Sequence, residues 1–101
     1  MAYPLRVVFV LEEKKEAELV SVMVSVPKKR FKRAVKRNLL KRRMREAYRL
    51  NKPALLEKLE AKQLQLHVAF NYVSNDLLDF EKIDRKMKIA LQKIMEKIDL
   101  K

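Results

Sequence analysis

Residues 34 to 49, AVKRNLLKRRMREAYR, place seven Lys or Arg in sixteen positions with no Gly, Pro or Ser to interrupt a helix. Burying such a segment on all sides would take many unpaired charges out of water, at a cost on the order of several kcal/mol each. It must therefore be a surface helix that docks by a narrow apolar stripe. At 100° per residue, Lys41, Arg42, Arg45 and Arg49 fall within about 60° of the direction set by Asn38. Leu40, Met44 and Ala47 lie opposite, with Tyr48 at their border and Arg37 to one side. Arg43 is off the stripe, at an angle that suggests a sheet edge.

The apolar stripe needs something to pack on, and the flanking sequence supplies strands. Residues 5–11, LRVVFVL, are β-branched and aromatic and precede a charged turn over 12–18. Residues 19–26, LVSVMVSV, alternate Val20, Val22, Val24 and Val26 with Ser21, Met23 and Ser25. These two runs read as a hairpin, ended by Pro27. The helix stops near Asn51, and Pro53 suits the first turn of a short helix, PALLEKLEAK. A third strand over 64–71 alternates Leu64, Leu66, Val68 and Phe70 with Gln65, His67, Ala69 and Asn71, and VSND then forms a turn. From Phe80, residues Ile83, Met87, Leu91, Ile94 and Ile98 mark a long amphipathic helix. The order gives an α+β class, a two-layer sandwich with helices on one face of a small sheet, as a single domain over 1–101.

Glycine is absent, so a left-handed turn must use another residue, and Asn51, Asn71 and Asn75 stand where that would help. Met23, Met44, Met87 and Met95 read as core fillers. Phe9, Phe70, Phe80 and the tyrosines read as core, whereas Phe31, set among Lys and Arg, is the aromatic placed to stack on unpaired bases. Ser21, Ser25, His67 and Asn71 would share one polar sheet face, and the sequence leaves open which face the helices cover.

Charge then narrows the function. The net charge is +12, and residues 28–52 hold all of that excess: thirteen basic residues against Glu46 alone. Elsewhere twelve basic and twelve acidic residues cancel. A localised field of one sign steers a polyanion to one surface. A merely solvated helix face would mix signs, because stacked like charges such as Lys41/Arg45 and Arg45/Arg49 cost some tenths of a kcal/mol, roughly 0.2–0.5 per pair. The polyanion-binding residues are then Asn38, Lys41, Arg42, Arg45 and Arg49, with Lys28, Lys29, Lys32 and Arg33 of the connector extending the surface.

Protein-based catalysis has little support. The chain has no Cys and one His, and Glu57/Glu60 and Asp76/Asp79 read as surface and capping groups rather than metal ligands. No apolar run reaches the roughly 18 residues of a membrane span, and no basic leader precedes the first apolar stretch, so a cytoplasmic protein without a membrane partner is expected. DNA readout fits a helix packed on a sheet poorly. No obligate protein partner is evident.

The motif Ala34, Val35, Arg37, Asn38, Lys41, Arg42, Arg45, Glu46 and Arg49 resembles the signature helix of the bacterial ribonuclease P protein subunit, and VSVPKK before it is similar to that family's strand ending in Ser-Lys-Lys. The likeness covers nearly the whole chain. It implies a left-handed βαβ crossover around the motif helix, and a role as accessory subunit of a ribonucleoprotein endoribonuclease. The catalytic RNA would be bound through this helix, including Arg37, and the connector. The 5′ leader of precursor tRNA would lie along a cleft of sheet and helix, and Mg2+ would be required by the RNA rather than bound tightly by the protein. The alternative is an RNA-binding protein of ribosomal or assembly type with no enzymatic partner. Leu39 stands where the family often has Arg, and the family's connector glycine is missing. The family's basic, aromatic-bearing helix ahead of the first strand has no counterpart before Tyr3; truncation is the expected reason, weakening leader binding but sparing the catalytic-RNA contact.

Overall fold

The central strand of the sheet is the last to be made. In the computed structural model, which describes residues 3–15 and 17–101, β1 (Leu5–Glu13) and β2 (Val20–Ser25) flank β3 (Leu64–Tyr72). β1 pairs with β3 antiparallel and β2 pairs with it parallel. The expected hairpin between the first two strands is therefore corrected: they belong to one sheet but never touch. Their Gly-free link offers no tight hairpin turn. It crosses the start of β3 instead, where the Lys14 N–H donates to the Gln63 carbonyl at 3.0 Å and the Leu66 N–H donates to the Leu19 carbonyl at 2.8 Å. β1 runs two residues further than expected, into the stretch read as a turn, whose residue 16 lies outside the described residues.

Between the parallel strands run α1 (Ala34–Asn51) and α2 (Pro53–Lys62), and α3 (Phe80–Asp99) follows the sheet. All three pack on the face made by Leu5, Leu66, Val68, Phe70, Tyr72 and Val24. α1 contributes Leu40, Met44, Ala47 and Tyr48, α2 contributes Leu55 and Leu59, and α3 contributes Ile83, Met87, Ala90, Leu91, Ile94 and Ile98. The mixed sheet with helices on one face is the α+β sandwich that the element order implied.

Several side chains sit elsewhere than the sequence suggested. Phe31 is buried edge-on against Tyr72, ring centres 5.9 Å apart, so it anchors the connector in the core and cannot stack on a base. Met23 is 67% exposed on the uncovered side of the sheet. Arg43 reaches the Leu78 carbonyl, in the loop entering α3, rather than a sheet edge. The left-handed residue is Gln63, at φ 54°, and not an asparagine. Only one residue separates α2 from β3, so position 63 must reverse the chain, and its side-chain amide offsets the cost of about 1 kcal/mol by donating to the Glu60 carbonyl at 2.8 Å. The asparagines bond instead: Asn51 donates to Ala47 and Asp84, while Asn71 and Asn75 accept from Ser25 and Arg30.

Candidate nucleic-acid interface

α1 presents two opposed faces. Leu40, Met44 and Ala47 are fully buried, while Asn38, Arg42, Arg45 and Arg49 are exposed and Lys41 is half-buried. Among the described residues, the side chains of Asn38, Lys41, Arg42 and Arg45 make no hydrogen bond or ion pair within the chain. Their donors are turned to solvent as a ladder along the helix. Arg49 differs, because it pairs with Glu46 one turn back. That pairing holds the Glu46 carboxyl below its ordinary range and raises the Arg49 guanidinium.

The connector is brought to the start of this ladder by Arg37. Its guanidinium donates to the Phe31 and Lys32 carbonyls, both at 2.8 Å, so Arg37 braces the connector, a role that the helical wheel could not reveal. Lys28, Lys29, Lys32 and Arg33 are exposed on the braced segment. Arg30 is drawn aside to Asn75 Oδ1 at 3.0 Å. No acidic residue lies in the first turn of α1, and Arg33 at its N-cap makes no side-chain cap, so the helix dipole adds to the cations there instead of being neutralised.

A second surface is the uncovered side of the sheet. The register aligns Arg6, Asn71 and Ser25 in one row, Val8, Ala69 and Met23 in the next, then Val10, His67 and Ser21. Val8 and Val10 are about half exposed. This face offers one apolar row, Val8, Ala69 and Met23, between polar rows, with a cation at one end and an acid at the other. At the acid end Glu12 accepts from Gln65 Nε2 at 3.1 Å and lies 3.3 Å from His67 Nε2, contacts that lower its pKa. Sequence reading found Ser21, Ser25, His67 and Asn71 but missed Arg6, Val8, Val10 and Met23. Their signal was the alternation of β1, whose inward residues are odd-numbered; only the strand order shows that the even ones join Met23.

Among the described residues no three His, Cys, Asp or Glu converge as metal ligands, and no helix is long and apolar enough to cross a membrane.

A protein-family model described as Ribonuclease P matches residues 3–95. This chain belongs to the ribonuclease P protein family. Two relatives named ribonuclease P protein component, from Porphyromonas gingivalis strains ATCC 33277 and W83, are 49% and 48% identical over 94 residues, covering 93% of this chain and 69% of each relative. No solved structure matches. The ribonuclease P protein component is the protein subunit of a ribonucleoprotein endoribonuclease of tRNA 5′ processing, which sets aside the ribosomal-type reading and implies an RNA partner for this chain.

Proposed function

We propose that α1 and its connector bind the catalytic RNA of ribonuclease P, and that the uncovered sheet face receives the single-stranded 5′ leader of precursor tRNA. The observation that carries the first half is the unpaired ladder of Asn38, Lys41, Arg42 and Arg45, continued by Lys28, Lys29, Lys32 and Arg33 on the segment that Arg37 braces. Folded RNA displays phosphates at close spacing, and Arg meets them bidentately while Asn38 can both donate and accept. Arg49 joins them by exchanging Glu46 for phosphate. The second half rests on Val8, Ala69 and Met23, a flat apolar row able to take base faces, with Arg6 and Asn71 beside it for phosphate and base edges.

In this reading the RNA holds the Mg2+ ions and cuts the phosphodiester. The protein, a single cytoplasmic RNA-binding domain with no obligate protein partner, supplies fixed positive charge that lowers repulsion between the two RNAs and holds the leader in place. The test is cleavage of a precursor tRNA by a bacterial ribonuclease P RNA at low magnesium, with and without this chain. Restored cleavage at the mature 5′ end supports the proposal. Tight binding to the catalytic RNA without restored cleavage would remove the leader half, and loss of both would remove the whole.

A further inference from the structure

β1 is an edge strand, and α3 runs beside its beginning. Between them lies a groove of about 460 Å³ that neither RNA surface described above uses. Pro4, Leu78 and Ile89 form an apolar floor, and the Tyr3 ring, 59% exposed, stands at one side. Lys82, Arg85 and Lys86 line the other side, Arg85 and Lys86 each within about 60° of Lys82 around α3. No acid lines the groove, and none of the three cationic side chains has a hydrogen bond or ion pair among the described residues. The floor is held rigidly: the Leu78 carbonyl accepts from Arg43 of α1, its N–H donates to the Tyr72 hydroxyl at 3.2 Å, and the Pro4 carbonyl accepts from the Val73 N–H at 2.8 Å.

A phenol ring and apolar floor beside three unpaired cations match a ligand that is flat and apolar on its faces and anionic along its backbone. An apolar peptide would leave the cations unmatched. A single strand of RNA matches both parts. Arg6, two residues beyond Pro4, marks the cationic end of the uncovered sheet face, so a strand leaving that face can turn around the β1 edge into the groove. We infer that this groove is an extension of the leader track, in which Tyr3 stacks on a base and Lys82, Arg85 and Lys86 hold phosphates of the leader beyond the stretch lying on the sheet. The inference rests on leader binding by the sheet face. Its consequence is a dependence on leader length, with long leaders gaining affinity that short ones do not.

The test is fluorescence anisotropy of labelled oligouridines of roughly five and twelve nucleotides with the full chain. K82E/K86E should weaken the long strand about tenfold, leave the short one unchanged, and flatten the salt dependence of the long strand by about 1.4 in log–log slope, the loss of two phosphate contacts. Tyr3→Ala should cost the long strand about fivefold or more, and Tyr3→Phe should retain it. Met23→Glu on the sheet face should weaken both lengths. If the groove variants fold by circular dichroism and bind the long strand like the parent while Met23→Glu still weakens both, the groove is overturned and the sheet reading stands. If Met23→Glu changes nothing while the groove variants still lose binding, the sheet reading falls and the groove remains an RNA site in its own right.

Discussion

α1 and α3 pack against each other in the same layer, are nearly equal in length, and are both rich in Lys and Arg, yet their ends and outer faces are built in opposite ways. α3 begins with Asp79, which accepts from the Lys82 N–H at 3.0 Å, carries Glu81 in its first turn, and pairs Lys88 with Asp84 and Asp99 with Lys58 of α2. α1 has no side-chain cap, no acid in its first turn, and stacked cations relieved only by Glu46. α3 caps its start and pairs part of its outer face, leaving Lys82, Arg85 and Lys86 open, whereas α1 is uncapped and leaves the cations of its outer stripe unpaired, Arg49 apart. In the proposed reading α1 serves chiefly RNA and α3 chiefly the fold.

The largest effect should come from breaking the structural member. Ile94→Ala on the fully covered face of α3 should lower unfolding stability by about 3 kcal/mol, measured by urea denaturation, through lost burial and the cavity left behind. RNA affinity measured well below the unfolding transition should be nearly unchanged. The converse break is on α1. Arg42→Ala and Arg45→Ala should each cost about 2 kcal/mol of affinity for the catalytic RNA while leaving stability the same or slightly higher, since Arg45 stacks against both Lys41 and Arg49. Unchanged affinity for both variants would take this helix out of the interface.

That division was half visible in the sequence. Periods of two and near 3.6 are local, so all six elements and the opposed faces of α1 could be read from spacing alone. The strand order could not, because antiparallel and parallel pairing with β3 depends on where a strand far along the chain settles, and a run of charged residues such as 12–18 looks like a hairpin turn whether or not its strands pair. Phe31 was misjudged for a related reason, and the bracing contacts of Arg37 were not foreseen. Their neighbours in sequence are cations, but their neighbours in space are Tyr72 and the connector carbonyls, and contact with those is decided by the crossover. The ladder itself was legible because unpaired charge on a regular helix needs no tertiary contact to be recognised.

The buried side of α1 offers a pH test of the same contrast. Burial pushes the Tyr48 hydroxyl up to about 12, and its ring lies 6.2 Å from Phe70. A pKa raised in the folded state gives a contribution fully present below the unfolded value of about 10 and lost as pH rises through the folded one. Stability should therefore fall between about pH 10 and 12 by up to about 2 kcal/mol on this account, and Tyr48→Phe should remove that share of the fall. Equal alkaline losses in parent and variant would take Tyr48 out of the fall and assign it to other groups, among them Tyr72, whose hydroxyl burial also pushes up.

The smallest effects are the most discriminating, because exchanging the two helix starts should move stability and binding in opposite senses. Asp79→Ala removes a made cap from α3 and should cost about 1 kcal/mol of stability with no change in catalytic-RNA affinity. Arg33 already has the extended backbone of an N-cap, at φ −82° and ψ 126°, so Arg33→Asp can supply the side-chain acceptor that α1 lacks without moving the chain. It should raise stability by about 0.5 kcal/mol and at the same time weaken RNA binding, since a carboxylate would occupy the positive helix end that a phosphate is meant to meet. Greater stability with unchanged affinity would mean that the first turn of α1 faces solvent in the ribonucleoprotein, and that the uncapped end is not part of how this helix holds RNA.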